Sequence, residues 1–412
     1  MNMNILMISP VPIVPTSTGG KVRIWQIASG LARHHRVTLI APIYGEEHCS
    51  NQAGKFPENC RIIYQPIPCN APRAWQQLRS LSSEWPYHTA LRYRSQLAQR
   101  VQHYLQIQQP DLIYCHFIQP LPYLETCDRP IVVDQQNVDR IYWTRQVHSQ
   151  GRHWLQRWFA ARNLHKTIRY ESARLAQMAA IVSVSEIDRA ETQRYAAGIV
   201  PHFFVAPNGV DPAQYQPREE PQRANQLVLG FFGAMDLQTN QDAAWILIQE
   251  ILPTVQQQLP EFTVSVLVIG RKPPCQLLDF ARRHPESHTR LTGTVDDVLP
   301  YLHQVDILVL PLQDGAGTKL RVLEAMAAGL CIVGTPLALA GLNAIQPGVH
   351  AMCASTHEEL AVAICALARQ PMRRRQMGRA AHAIVTQQYS WQQITDQLAE
   401  ELTSVFSGGI PR

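Results

Sequence analysis

The sequence predicts an α/β protein with two doubly wound domains in tandem, each a parallel sheet covered by helices on both faces. Three observations predict this fold class. The chain has 412 residues, too many for one ordinary core. Short strands that are apolar on both faces alternate with amphipathic helices. After the turn signal Pro207-Asn208-Gly209 the alternation restarts, so a domain boundary is predicted there.

The predicted N-terminal domain spans residues 1–206. Its first strand, residues 5–9, leads through a Pro-rich loop to Gly19-Gly20. A helix follows, because apolar residues recur there at helical spacing on one face. The other strands predicted in this domain are residues 37–41, 112–115, 131–133 and 181–184.

A basic and aromatic segment, residues 140–178, breaks the alternation and is predicted to be mostly helical. Trp154 and Trp158 lie one helical turn apart among many arginines. Two interpretations are open: an interfacial helix that meets anionic lipid, or a long helix with a solvated basic face and its tryptophans packed inward. We favour the second, because mixed charged helices usually face solvent.

The predicted C-terminal domain spans residues 207–390. It begins with a polar stretch holding three prolines, residues 211–226, which is typical of an interdomain linker. A further helical region, residues 391–406, follows this domain. The strands predicted in it are residues 227–233, 264–270, 307–311 and 331–334.

The most informative stretch is residues 314–329, a loop and helix that follow a buried strand. Its two glycines let the backbone approach a ligand closely. Thr318 is predicted to cap the helix, which would aim free N–H groups at that ligand. Lys319 and Arg321 oppose the helix dipole in the first turn, which indicates an anion between them. Glu324, one turn later, can accept hydrogen bonds from sugar hydroxyls.

The composition of the chain limits the classes of binding partner and the cellular compartment that we expect. The net charge of +5 is mild, so it does not require a nucleic-acid partner, but it suits an anionic ligand or a membrane surface. Nine scattered cysteines without a Cys-x-x-Cys motif favour reduced thiols in a cytoplasmic protein. The N-terminus is typical of a first strand rather than a signal peptide. No His-Glu-x-x-His motif or other metal-ligand cluster is present in the sequence, so no metal site is predicted.

Four signals, in the expected order, together resemble the retaining glycosyltransferases of family four (GT4). They are Gly19-Gly20, Pro207-Asn208-Gly209-Val210-Asp211, Gly233-Ala234-Met235 with Asn240, and Glu324-Ala325-Met326-Ala327-Ala328-Gly329. The resemblance implies the GT-B fold, with two Rossmann-like domains facing a central cleft and the helix 391–406 packing back on the N-terminal domain. It also implies transfer of a sugar from a nucleotide sugar to an acceptor hydroxyl, with retention of configuration and without a metal or other cofactor.

The resemblance also implies roles for individual residues. His116 would lie beside the donor sugar and Lys319 would bind the phosphates, so both are predicted catalytic residues. Glu324 would bind the nucleotide ribose, and Arg321 is a second phosphate candidate. The other donor-side candidates are Gly19, Gly20, Gly233, Asn240, Arg271, Gly317 and Thr318. The acceptor-side candidates are Arg23, Asp134 and Asn137.

Plainer structural roles stay open for several of these residues. Gly19-Gly20 has the pattern of an anion nest but also of an ordinary loop. Glu324 could pair with Arg321 three residues away, and Arg271 could be a plain loop charge. His116 could be purely structural, and the segment 134–139 could be a polar turn that caps the next helix through Asn137.

Two departures from the family pattern bear on activity. Ala316 stands where the first glutamate of a Glu-x7-Glu motif is expected, and the loop 234–240 lacks the usual Arg and Lys. The cations after Gly317 resemble a GT4 branch that carries them in this loop instead. A catalytically inactive scaffold that binds nucleotide or partners, or another GT-B enzyme such as a sugar-nucleotide epimerase, therefore remains an alternative.

The substrates and location follow only in outline. The donor is expected to be UDP- or GDP-linked. The acceptor hydroxyl could belong to a glycan, a lipid-linked sugar or a small molecule, as in polysaccharide biosynthesis. We expect a cytoplasmic protein, and a peripheral contact with the inner face of the membrane stays open. The sequence does not indicate an oligomeric state.

Overall fold

The computed structural model describes residues 2–14, 18–44, 57–67, 73–136, 139–148, 153–196, 202–217, 225–314 and 320–406. The chain divides into two compact units. Unit 1 consists of Met1–Pro207 and Trp391–Arg412, and unit 2 consists of Asn208–Ser390. Each unit is built on one parallel sheet with helices, so the predicted fold class is confirmed.

The sheet of unit 1 has seven strands in the order β3-β2-β1-β4-β5-β6-β7 among the described residues, and all its pairs are parallel. The strands are β1 (Asn4–Ile8), β2 (Arg36–Tyr44), β3 (Cys60–Ile67), β4 (Leu112–His116), β5 (Ile131–Gln135), β6 (Ala180–Ser183) and β7 (His202–Val205). The helices between them are α1 (Gly19–Leu31), α2 (Arg73–Ser82), α3 (Tyr87–Arg92), α4 (Ser95–Gln108), α5 (Asp139–His148), α6 (Trp154–Leu175) and α7 (Glu186–Tyr195), with a 3-10 turn at Leu121–Leu124.

The sheet of unit 2 has six strands in the order β10-β9-β8-β11-β12-β13 in the described part of the chain, again all parallel. The strands are β8 (Gln226–Phe232), β9 (Thr263–Ile269), β10 (Thr289–Leu291), β11 (Ile307–Leu310), β12 (Cys331–Gly334) and β13 (Met352–Cys353). The helices are α8 (Gln238–Ile246), α9 (Leu252–Gln258), α10 (Cys275–Arg283), α11 (Leu299–Leu302), α12 (Leu320–Ala327), α13 (Pro336–Leu339), α14 (His357–Ala368) and α15 (Pro371–Gln388), with a π turn at Leu247–Ile251 and a 3-10 turn at Pro285–Ser287.

The final described helix, α16 (Trp391–Phe406), follows unit 2 in the chain but belongs to unit 1. It packs on α1 so closely that a Cβ atom on Gly30 would lie 2.2 Å from Thr395 Oγ1. Arg33 Nη2 donates to Asp396 Oδ1 at 2.9 Å and to Thr395 Oγ1 at 2.8 Å. Glycine is therefore required at position 30, because any side chain would separate the two helices.

Central and edge strands differ in burial. The middle strands of both sheets, such as β4 and β11, are buried along their whole length, because helices cover both faces. The outermost strands, such as β3 and β7, are only partly buried. The sequence analysis predicted the nine inner strands and missed the four outer ones, since edge strands lack a continuous apolar run.

Helix α6 corrects one expectation. We predicted that Trp154 and Trp158 pack inward, but they are 67% and 51% exposed. The inward face of α6 is formed instead by smaller or polar residues, including Ala160, Asn163 and Thr167. In the part of the chain that the structure describes, no helix is both long and apolar enough to cross a bilayer.

Candidate functional site

In unit 1, a buried ion pair joins the first helix to the end of a central strand. Arg23 lies on the inward face of α1 and Asp134 near the end of β5. Arg23 Nε donates to Asp134 Oδ2 at 3.0 Å, and Arg23 Nη2 donates to Asp134 Oδ1 at 2.7 Å. Arg23 Nη1 also donates to the carbonyl oxygen of Pro207 at 3.1 Å. Such a two-pronged pair has a fixed geometry, so it sets the orientation of both side chains.

His116, at the end of β4, joins this pair. Because β4 and β5 are neighbours in the sheet, their ends bring His116 Nδ1 to 3.2 Å from Asp134 Oδ2. Burial alone would raise the pKa of Asp134, but the charge of Arg23 and the hydrogen bonds from His116 and Arg23 lower it to about 2. Asp134 is therefore ionised at neutral pH and Nδ1 of His116 carries the proton.

The protonation of Nδ1 leaves Nε2 of His116 as a hydrogen-bond acceptor. Burial lowers the pKa of His116, although the bond with Asp134 opposes that effect, so the ring is neutral. Nε2 has no hydrogen-bond partner among the described residues. None of the ring's surface is exposed, so His116 touches a substrate only after neighbouring side chains move.

Gln136 lies on the Nδ1 side of the ring, and sequence reasoning missed it as a contact of this cluster. Its Nε2 lies 3.3 Å from Asp134 Oδ2 and 3.5 Å from His116 Nδ1. On its other side, a Cβ atom on Gly20 would lie 3.2 Å from Gln136 Oε1. The cluster of Arg23, Asp134, His116 and Gln136 thus lies directly against the start of α1.

The glycines Gly19 and Gly20 open helix α1 rather than precede it. The first helical hydrogen bond runs from the amide of Val22 to the carbonyl oxygen of Thr18, at 3.0 Å. The amides of Gly19 and Gly20 come too early in the helix to have an acceptor within it. The amides of Gly19 and Gly20 therefore lie at a helix N-terminus, where backbone N–H groups commonly bind anions.

In unit 2, a second cluster surrounds Gly233, which follows β8. A Cβ atom there would lie 2.7 Å from Arg321 Nη1 and 3.0 Å from Asn240 Nδ2. Arg321, in the first turn of α12, donates from Nη1 to the carbonyl oxygen of Phe232 at 3.2 Å, and Asn240 Nδ2 donates to the carbonyl oxygen of Ala234 at 2.7 Å. Three predicted donor-side residues are thus brought together at the end of one strand.

Arg321 is a largely buried cation without a carboxylate in contact. Burial lowers its pKa to about 10, against the opposing pull of Glu324. Its guanidinium also lies 5.8 Å from the ring centre of Phe231. No ion pair of the described residues includes it. A buried charge with no counterion in direct contact is costly, so this position favours an anionic ligand.

Glu324 has a partner that the sequence did not reveal. Its carboxylate interacts with the phenol of Tyr215 as well as with the charge of Arg321. Burial raises the pKa of Glu324, while the Tyr215 bond and the Arg321 charge oppose this effect. Burial, followed by the Glu324 charge, raises the pKa of Tyr215 as well. The only available signal was the position of Tyr215 shortly after the Asn208-Gly209-Val210-Asp211 motif.

Arg271, in contrast, has its own counterion. Its Nη2 lies 3.3 Å from Asp236 Oδ2, and its carbonyl oxygen accepts from the amide of Met235 at 3.0 Å. The loop charge is therefore partly neutralised beside Gly233.

Several predicted residues lie outside the described parts of the chain. They are Asn137, Ala316, Gly317, Thr318 and Lys319. Among the described residues, no three His, Cys, Asp or Glu side chains are grouped so that they could hold a metal ion.

Two family models match the chain. The model described as Glycosyltransferase Family 4 matches residues 17–214, and the model described as Glycosyl transferases group 1 matches residues 226–370. The first covers most of unit 1 and the second most of unit 2. The chain has no significant match among curated protein sequences.

Solved structures of glycosyltransferases resemble the whole chain. Sucrose-phosphate synthase from Thermosynechococcus elongatus has a TM-score of 0.76 at 15% identity, covering 99% of this chain and 100% of that one. Anabaena HepE, solved with UDP-glucose, has a TM-score of 0.67 at 17% identity, covering 98% and 100%. WaaG, a glycosyltransferase involved in lipopolysaccharide biosynthesis, has 0.66 at 16%, covering 97% and 99%. Identities this low establish the shared fold alone.

Proposed function

We propose that this chain, whose two parts match glycosyltransferase family models, is a GT-B glycosyltransferase that moves a sugar from a nucleoside diphosphate sugar to an acceptor hydroxyl. We further propose that the anomeric configuration is retained and that no metal or other cofactor takes part. The resemblance to family four supports retention. The observation that carries the proposal is the largely buried guanidinium of Arg321, which lies against Gly233 without a carboxylate partner in the described chain.

The chemistry of the leaving group explains why such a cation matters. When the sugar leaves, the nucleoside diphosphate gains negative charge on its distal phosphate. A cation that is already in place stabilises this charge without reorganising, which lowers the barrier. Arg321 would serve this role together with Lys319 and the amides after Gly317. Glycine at position 233 lets the backbone lie close to the guanidinium, because a Cβ atom there would lie 2.7 Å from Arg321 Nη1.

Glu324 is proposed to bind the nucleotide ribose. The phenol of Tyr215 interacts with its carboxylate and would help to orient it. A carboxylate can accept several hydrogen bonds, so one remains available for a ribose hydroxyl. Tyr215 would therefore be a positioning residue rather than a catalytic one.

His116 and Asp134 are proposed to act on the sugar side. Burial keeps the His116 ring neutral, and the bond with Asp134 holds the proton on Nδ1, so Nε2 is left as an acceptor. Nε2 would accept a hydrogen bond from a hydroxyl of the donor sugar or the acceptor once the side chains that cover it have moved. Gly19 and Gly20 would offer amides to the distal phosphate.

The substrates are proposed from the similar structures. HepE has been solved with UDP and with UDP-glucose, so UDP-glucose is the first donor to test and a GDP-linked sugar the second. WaaG takes part in lipopolysaccharide biosynthesis, so a glycan or lipid-linked sugar acceptor, within polysaccharide biosynthesis, is the first acceptor class to test.

Donor hydrolysis tests the reaction without knowing the acceptor. The protein is incubated with a panel of UDP- and GDP-linked sugars in the presence of a chelator, and the released sugar is followed by proton NMR. We expect release of nucleoside diphosphate from one donor class, with the α-anomer appearing first from an α-linked donor. Binding without turnover of any donor, even when glycan and lipid-linked acceptors are added, would favour the inactive scaffold, and a changed sugar on intact nucleotide would favour an epimerase.

A further inference from the structure

An exposed apolar group marks the beginning of helix α6. Trp154 is 67% exposed, Leu155 is 51% exposed and Trp158 is 51% exposed. Single exposed hydrophobic residues are normal on protein surfaces. Three within five consecutive positions, including two of the largest side chains, are not explained by packing within unit 1.

Cations surround these three side chains. Arg157 and Arg162 are exposed beside them, and the Arg162 guanidinium lies 6.0 Å from the ring centre of Trp158 while donating to the carbonyl oxygen of Leu81 at 3.1 Å. The one acidic residue on α6, Glu171, is buried. We call Trp154, Leu155, Arg157, Trp158 and Arg162 the α6 surface.

The same stripe continues along the helix. Ile168 is 40% exposed and Arg169 is exposed. Both lie on the side of α6 that carries Trp154 and Trp158, because a helix returns to the same face every three or four residues. The opposite side packs inward through residues such as Thr167 and Tyr170. The helix therefore has one face in unit 1 and another that combines aromatic, aliphatic and cationic side chains.

Mixed aromatic and cationic surfaces fit one environment well. At a membrane surface, tryptophan rings settle at the headgroup level, where an apolar body and a polar N–H are both satisfied. Arginines beside them attract anionic headgroups. A surface of this kind lies in the plane of the bilayer rather than crossing it.

A second copy of the chain would fit the α6 surface poorly. A symmetric dimer through this face would bring Arg157 and Arg162 close to the same residues of the other copy. No exposed carboxylate on α6 could neutralise them. Like charges facing each other across an interface are costly, so the surface is better matched to an anionic partner.

We propose that the α6 surface binds the headgroup region of an anionic lipid bilayer and holds unit 1 at the membrane. Trp154, Leu155 and Trp158 enter the boundary between headgroups and acyl chains, while Arg157 and Arg162 contact lipid phosphates. The contact involves no covalent step. It does not depend on the proposed sugar transfer, so either proposal can fail alone.

Vesicle flotation tests the contact with the full chain. Vesicles that contain phosphatidylglycerol are compared with vesicles of pure phosphatidylcholine. We expect selective binding to the anionic vesicles, with weaker binding at higher salt because exposed charges are screened. Trp154→Ala/Trp158→Ala should lower the partition coefficient by about tenfold or more, since two large aromatic side chains no longer leave water. Arg157→Gln should lower it by about fivefold.

A matched control lies in the same unit. Ile107 and Ile187 are 60% and 59% exposed but lie on α4 and α7. Ile107→Ala/Ile187→Ala should bind anionic vesicles like the unmodified chain. The proposal is overturned if the unmodified chain does not prefer anionic vesicles, or if the tryptophan and isoleucine variants bind alike. Loss of a dimer in the tryptophan variant, measured by light scattering in a chain that binds no vesicles, would instead assign the surface to a second copy.

Discussion

The charged clusters of the two units differ in whether a cation lies in contact with a carboxylate. In unit 1, Arg23 and Asp134 neutralise each other, and the pair is enclosed by protein. In unit 2, Arg321 is largely buried, and among the described residues its guanidinium contacts the carbonyl oxygen of Phe232 and the ring of Phe231 but no carboxylate. The first arrangement holds helix α1 and strand β5 in one geometry. The second contains a cation with no carboxylate in direct contact, and such a cation is suited to an anionic ligand. The difference separates residues with a structural role, such as Arg23 and Asp134, from a residue placed to bind a ligand, Arg321.

The largest effect is expected on stability, from a substitution that breaks the buried ion pair in unit 1. Arg23→Met should lower the free energy of unfolding by about 3–5 kcal/mol, because it leaves the Asp134 carboxylate buried without a counterion. Chemical denaturation followed by circular dichroism measures it. The double change Arg23→Met/Asp134→Leu should restore part of the loss, since neither charge is then buried.

A control for this effect is Arg33→Met near the same helix. Arg33 pairs with Asp396, but its side chain is 39% exposed, so the loss should stay below about 1 kcal/mol. Equal losses for Arg23→Met and Arg33→Met would contradict the structural role of the buried pair.

The next effect falls on ligand binding in unit 2. Arg321→Ala should weaken the binding of UDP or GDP by about ten- to a hundredfold, because it removes a charged hydrogen-bond donor from the phosphates. The free energy of unfolding should change little, since the variant also removes an unpaired buried charge. Isothermal titration calorimetry measures the affinity. Arg282→Ala, which removes a side chain that is 75% exposed on α10, is the matched control and should bind nucleotide normally.

Lowering the pH also distinguishes the two clusters, because the unit 1 cluster contains a carboxylate whose pKa is held well below its usual value. The pKa of Asp134 is lowered from 3.8 to about 2 in the folded chain. A lowered pKa stabilises the folded state at pH values above 3.8, and this contribution disappears as the pH falls from 3.8 through about 2. The loss should be about 2 kcal/mol.

Denaturation across this pH range, compared between the unmodified chain and Asp134→Asn, isolates that contribution. The variant is already destabilised, but its stability should fall less steeply with acid. Parallel pH profiles for the two proteins would show that Asp134 is not held ionised by Arg23.

The smallest expected effect comes from Gly233→Ala. The added methyl group would lie 2.7 Å from Arg321 Nη1, at the flexible end of that side chain, so the guanidinium can move away. Nucleotide affinity should fall by about fivefold, or roughly 1 kcal/mol, with little loss of stability. Gly270→Ala is the contrasting change, because its methyl group would lie 1.9 Å from the carbonyl oxygen of Gly233 and backbone cannot yield so easily. It should destabilise unit 2 instead, and the reverse pattern would contradict this account.

The sequence predicted the core of each sheet but not its margins. Strands such as β1 and β11 are apolar on both faces, and this pattern is visible in the chain itself. Strand β3 contains Arg61, Gln65 and Pro66, and it was missed because an edge strand needs only one paired side and partial cover. An edge strand is stabilised mainly by the strand it pairs with, and the local sequence does not show which strand that is.

The candidate sites divide in the same way. That His116 and Asp134 end consecutive strands was visible in the sequence, and consecutive strands often pair. Tyr215 and Glu324 are far apart in the chain, and no local pattern connects them. The exposure of Trp154 was predicted wrongly because helical periodicity gives the faces of a helix but does not say which face the rest of the unit covers.

Helix α16 has a consequence for the order in which the protein is made. Unit 2 is one continuous segment, so all of it leaves the ribosome before α16 does. Unit 1 is discontinuous, so Gly30 and Arg33 meet their partners Thr395 and Asp396 only after the last segment has been made. Since domains generally fold as units during synthesis, the later half of the chain is expected to mature first, while the earlier half stays incomplete until translation passes residue 406.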